Sequence, residues 1–117
     1  MADLINFSLS AKATDVADLL AAQGLFVDAL GAAKFAMAYA LNHHFDEIAP
    51  ATYTMPDNDG KSYGAGSIDT DLVSLLKAIY PECTTPVKYS RNLMTFGLLK
   101  LGAKIEREGL QPISSYM

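Results

Sequence analysis

The sequence predicts a mainly α, single compact domain with a short N-terminal strand followed by about four helices. Three observations predict it. The 117 residues suffice for one domain and are too few for two ordinary ones. Half of them are hydrophobic and 19% are charged, the balance of a chain that buries a core. Apolar residues recur at helical spacing along most of the chain, and only the opening residues alternate. A domain of this size buries roughly two thirds of the surface its unfolded chain exposes, so it can fold without a metal or a disulfide.

Each element follows from local chemistry. Ile5, Phe7 and Leu9 alternate with Asn6, Ser8 and Ser10, the period of a half-buried strand, and no second strand signal follows. Thr14 reads as a helix N-cap, with Asp15 and Asp18 in the first turn. Val16, Leu19, Leu20 and Gln23 then share a face, and Gly24 is the stop. A longer helix is predicted from about Phe26 to about His43. Val27, Leu30, Met37, Ala38 and Leu41 line one face, and Phe35 and Tyr39 leave it. This helix is apolar nearly all round, which places it at the centre of the fold. Gly31, Ala32, Ala33, Ala36 and Ala40 would let other helices approach it closely.

From Pro50 to Gly66 the loop formers Pro50, Pro56, Asn58, Asp59, Gly60, Gly64 and Gly66 dominate. A connection this long is expected to be functional, mobile or packed on a partner. A third helix is predicted from about Ile68 to Ile79, striped by Leu72, Leu75, Leu76 and Ile79 and closed by Pro81. The last runs from near Pro86 to Gly109. Val87, Met94, Leu98, Leu101 and Ile105 form its buried stripe, and Lys100, Lys104 and Arg107 project on the opposite side. Lys88 and Arg91 add charge at its start. Residues 109–117 read as a tail with little order of its own.

Composition excludes several classes. The longest strongly apolar stretch, residues 29–41, contains Lys34 and is too short to span a bilayer. No basic segment followed by an apolar one opens the chain. The single cysteine, Cys83, rules out an internal disulfide framework and a multi-cysteine zinc site. The expectation is a soluble, cytoplasmic protein with no membrane association. Charge is unevenly placed: residues 1–60 hold two basic and eight acidic side chains, and residues 61–117 hold seven and five. Such a chain can pair with copies of itself or offer its basic part to an anionic partner.

No catalytic pattern emerges, and neither a metal nor a cofactor is expected. His43 and His44 sit beside Asp46 and Glu47, but adjacent histidines on a helix diverge and the chain has no other histidine. Cys83 lacks a catalytic signature around it. The DNDG of residues 57–60 resembles the start of a calcium loop, yet its closing position is Ile68 and its Gly60 is misplaced, so it reads as turn chemistry. Gly64-Ala65-Gly66 belongs to no phosphate-binding loop. The protein is not expected to be an enzyme.

Strand, short helix, glycine turn and longer helix, in that order, make a ribbon-helix-helix-like start. In that arrangement two chains pair their strands and outward side chains enter the major groove. Asn6, Ser8 and Ser10 would do so here, joined by Lys12. This reading gives a ribbon-helix-helix-type DNA-binding transcriptional regulator as the alternative function.

The sequence also resembles a known family. The run FSLS at residues 7–10, LLAAQGL at 19–25, KFAMAYAL at 34–41, the Gly/Asp segment before the third helix and GLLKL at 97–101 are similar to the DNA sulfur-modification protein family DndE. The likeness covers most of residues 5–105. It implies a small, mainly helical, non-catalytic protein that works beside other proteins of a DNA-modification complex. It also implies self-association and DNA binding, and makes Lys34, which stands where such proteins tend to carry Arg, a structural or DNA-facing position. The expected function is an accessory subunit of a DNA modification or defence system, acting as a homo-oligomer with weak backbone contact to DNA. The DNA-contact candidates are Lys88, Arg91, Lys100, Lys104, Arg107, Lys34 and Lys12.

Overall fold

The computed structural model describes residues 2–117. It contains β1 (Asn6–Ser8), α1 (Ala11–Ala22), α2 (Ala29–His43), β2 (Ser62–Gly64), α3 (Thr70–Ile79) and α4 (Pro86–Glu108). Single 3₁₀ turns lie at Phe45–Glu47, Ala65–Ser67 and Ile113–Tyr116. Over the described residues the fold is mainly α, with four α-helices and one two-stranded sheet.

The central helix is α4, not α2 as the sequence suggested. Pro86 opens it, where a missing N–H costs nothing, and Gly109 ends it with a φ of +77°. The Asp3 carboxylate accepts from the Val87 and Lys88 amides at 2.8 and 3.1 Å, satisfying donors that the first turn leaves free. Along its first two thirds α4 is buried almost all round, through Val87, Leu93, Met94, Leu98 and Leu101 but also through Ser90, Asn92 and Thr95. Those polar residues hid its central position from a reading based on apolar stripes.

Two glycines of α4 admit its neighbours. A Cβ on Gly97 would lie 2.1 Å from the Ala36 carbonyl oxygen of α2, and one on Gly102 would lie 2.7 Å from Val16 Cγ2 of α1. Backbone approach this close needs small residues on both sides, so α2 buries its alanines: Ala29, Ala32, Ala33, Ala36 and Ala40, with Met37 and Tyr39 at the edges. Of the predicted face Val27, Leu30, Met37, Ala38 and Leu41, only Met37 is fully buried. Val27 and Ala38 are exposed, and Leu30 and Leu41 are half-buried. The small residues, expected to permit close approach, form the interface itself. The helix also begins three residues later than predicted, at Ala29, preceded by Asp28, whose carboxylate caps Gly31 N at 2.8 Å.

The N-terminal strand is not alone. β1 pairs antiparallel with β2, with Asn6 opposite Gly64, Phe7 opposite Tyr63 and Ser8 opposite Ser62. The Phe7 and Tyr63 rings stack at 5.5 Å. The strand therefore finds its partner within the chain and not, as the ribbon-helix-helix expectation required, in a second copy.

Residues 57–60 are more than a turn. Asp57 accepts from the Ala11 amide at the start of α1 (2.8 Å) and from Asp59 N (3.0 Å). Gly60 N donates to Leu9 O at 2.9 Å, and a Cβ on Gly60 would lie 2.3 Å from Ser10 O. Ser10, not Thr14, is the N-cap of α1, accepting from Ala13 N. Thr14 Oγ1 instead accepts from Lys61 N at 2.9 Å. The long loop thus returns to clamp the strand–helix junction.

Candidate functional site

Seven cations were candidates for phosphate contact, and four of them are held by the chain's own carboxylates. Lys12 Nζ lies 2.8 Å from Glu106, Lys34 Nζ 3.7 Å from Asp69, Lys100 Nζ 3.0 Å from Glu47 and Lys104 Nζ 3.5 Å from Glu108. Three of these bridges join the acidic first half of the chain to the second. Lys34 reaches the N-cap of α3, because Asp69 also accepts from Leu72 N at 2.8 Å. The bond to Lys12 holds Glu106 below the usual carboxylate range and raises Lys12.

Among the described residues Lys88, Arg91 and Arg107 form no ion pair within 4.0 Å. They do not form one patch. At 100° per residue, Lys88 and Arg91 point well away from Lys100, Lys104 and Arg107, so they do not extend that group. Arg91 Nε donates to Asn92 Oδ1 at 3.0 Å, while Asn92 Nδ2 donates to Pro50 O at 2.7 Å. Burial pulls the Arg91 guanidinium below its ordinary pKa. Arg91 thus orients the Asn92 amide, which holds the loop at Pro50. The Lys100 and Lys104 side chains are themselves only 39% and 34% exposed. Lys100 also lies 5.4 Å over the Phe96 ring.

The two histidines diverge as expected. His43 Nε2 donates to Met117 O at 3.2 Å. His44 Nδ1 meets Glu47 Oε2, and His44 Nε2 lies 3.4 Å from the Tyr39 hydroxyl. A carboxylate on Nδ1 keeps the proton there, so in neutral His44 the other nitrogen accepts from Tyr39. His44 and then Lys100 depress the Glu47 carboxyl. The cluster ties the end of α2 to α4. Cys83 is buried, and burial raises its thiol pKa, away from the reactive thiolate. Among the described residues no group of three His, Cys, Asp or Glu side chains is placed to hold a metal ion. None of the described helices is long and apolar enough to cross a membrane.

The surface has an apolar feature that the sequence reading passed over. Between α1 and α2, Leu25, Phe26 and Val27 form an uninterrupted apolar run. Leu25 is 44% exposed, Phe26 is half-buried against Phe35 and Val27 is wholly exposed. Ile5 and Leu75 are also exposed. The signal was present in the sequence, but Val27 was assigned to the buried face of α2.

Comparison with protein-family models, curated proteins and solved structures finds no match.

Proposed function

We propose that this chain is a non-catalytic accessory subunit of a DNA modification or defence system, of the phosphorothioation kind. It acts by assembly with copies of itself and with the system's other proteins, and any DNA contact is weak and made to the backbone. The resemblance of residues 5–105 to the DndE family supplies the setting. The mode of action rests on the Leu25-Phe26-Val27 corner. Single exposed aliphatics are ordinary, but three consecutive apolar residues at a solvent-facing corner are the kind of surface that a partner covers. The tethering of Lys12, Lys34, Lys100 and Lys104 by carboxylates supports the same reading, since each must leave its partner before it can neutralise a phosphate.

The ribbon-helix-helix alternative needs Asn6, Ser8 and Ser10 presented on a ribbon of two chains. Ser10 is buried as a helix cap, and the Ser8 hydroxyl lies 2.6 Å from that of Ser62. Accessory assembly is therefore the better-supported function. A duplex-DNA titration across salt tests the choice. Accessory assembly gives weak, sequence-indifferent binding at physiological salt. Sequence-specific binding at ~10⁻⁸ M or tighter would instead identify a regulator.

A further inference from the structure

The chain leaves α4 at Gly109, whose φ of +77° and ψ of 167° suit glycine and make it a natural hinge. Leu110, Gln111 and Pro112 then run exposed to the 3₁₀ turn at Ile113–Tyr116. In a 3₁₀ turn residues i and i+3 eclipse, so Ile113 and Tyr116 face the same way. Among residues 110–117 only these two turn inward, and Tyr116 is 1% exposed. Its ring meets Tyr39 edge-on with centroids 6.3 Å apart, and its hydroxyl accepts from Gln111 N at 3.0 Å. The contact from His43 to Met117 O is exposed to water.

This segment reaches the core only through Tyr116, with Ile113 packed against it. It walls a groove of about 450 Å³ on the outer side of α2, lined by Phe35, Ala38, Tyr39, Asn42, Tyr116 and Met117. The entropy of ordering eight residues is set against the burial of two side chains and a few largely exposed hydrogen bonds. The order of the segment therefore rests on the Tyr116 latch.

We propose that residues 110–117 are a strap, hinged at Gly109 and latched by Tyr116, that opens independently of the helical core. Opening widens the groove into an aromatic face built from Phe35 and Tyr39. The strap thereby controls whether that face of α2 meets water. This device stands apart from the accessory-subunit reading, and neither depends on the other.

Hydrogen exchange on the full chain, followed by mass spectrometry, tests it. The Gln111, Ser115 and Met117 amides are the reporters, because each donates a hydrogen bond within the strap. In the wild type these amides should be at least ~10-fold less protected than the amides of α4 over residues 92–101. Tyr116→Ala should abolish their protection and raise the fluorescence of an added anilinonaphthalene sulfonate dye, leaving exchange in α1 and α4 unchanged. Strap amides as protected as α4 in the wild type would overturn the proposal, whether or not the variant folds. So would a Tyr116→Ala chain whose strap protection is unaltered, or one whose strap and α4 lose protection together.

Discussion

Gly97 of α4 lies directly beneath the carbonyl of Ala36 in α2, with room for a hydrogen but not for a methyl group. That contact fixes how the two helices approach and why α2 buries alanines. Gly97→Ala drives a Cβ against backbone, which cannot rotate away. It should destabilise by ~1–3 kcal/mol even after the ~1 kcal/mol that alanine returns in helix propensity. Gly102→Ala meets a valine methyl that can shift, and should remain within about 1 kcal/mol of the wild type. Urea unfolding of the two variants checks the contrast, and equal losses would contradict it.

The same packing separates two residues that the sequence placed together in the core. Met37 is fully buried, and Met37→Ala should cost ~2–5 kcal/mol. Leu30 is only partly buried, and Leu30→Ala should cost about 1 kcal/mol or less. Chemical denaturation of both variants measures the difference, and the reverse order would show that α2 is rotated from the orientation described.

Much of the fold was legible because its signals are local. Pro86 and Gly109 marked both ends of α4, Gly24 ended α1, and the third helix was placed within two residues of its observed start. What failed depended on distant residues. β2 is three residues in a glycine-rich loop, too short to alternate, and exists because β1 offers it an edge. Ser10 and Thr14 are both capable caps, and the choice between them depends on Lys61 and Asp57 some fifty residues away. The ion pairs of the cations were hidden for the same reason, since no spacing rule places Glu47 beside Lys100 or Glu106 beside Lys12. The face of α2 was misjudged because large apolar residues were given priority over alanine, where Gly97 demands the opposite.

Acid should reveal the clamp at residues 57–60. Two backbone amides hold the Asp57 carboxyl below its usual range, and Glu47 and Glu106 are lowered as well. A depressed folded pKa stabilises above the unfolded value, near 4, and that stability is lost as pH falls through the folded value. The thermal midpoint should be nearly flat from pH 7 to about 5 and fall below about 4. Asp57→Asn keeps an acceptor but removes the charge, so it should lower the midpoint at pH 7 and shallow the acid decline. Ser10→Ala removes the neighbouring cap at a cost of ~0.5–2 kcal/mol, largely independent of pH. Parallel pH profiles for wild type and Asp57→Asn would contradict the clamp.

Tethered cations predict a small electrostatic footprint on DNA. If Lys100, Lys104 and Arg107 were all free, Lys100→Ala/Lys104→Ala/Arg107→Ala would lower the salt slope of binding by about 2–3. With Lys100 and Lys104 engaged by Glu47 and Glu108, the change should be about 1 or less. Fluorescence anisotropy between 50 and 200 mM salt, with a duplex of fixed length, measures the slope. A change of 2–3 would restore the last helix as the DNA-binding face.

Assembly through exposed apolar surface is the central claim, and sedimentation equilibrium tests it most directly. At micromolar concentration the wild-type chain should sediment above its 12.6 kDa monomer mass. Leu25→Lys/Val27→Lys, which places charge at the α1–α2 corner without touching the core, should shift it to the monomer with an unchanged far-ultraviolet circular dichroism spectrum. A wild-type chain that remains a 12.6 kDa monomer throughout that range, or an assembly indifferent to the double substitution, would contradict the account.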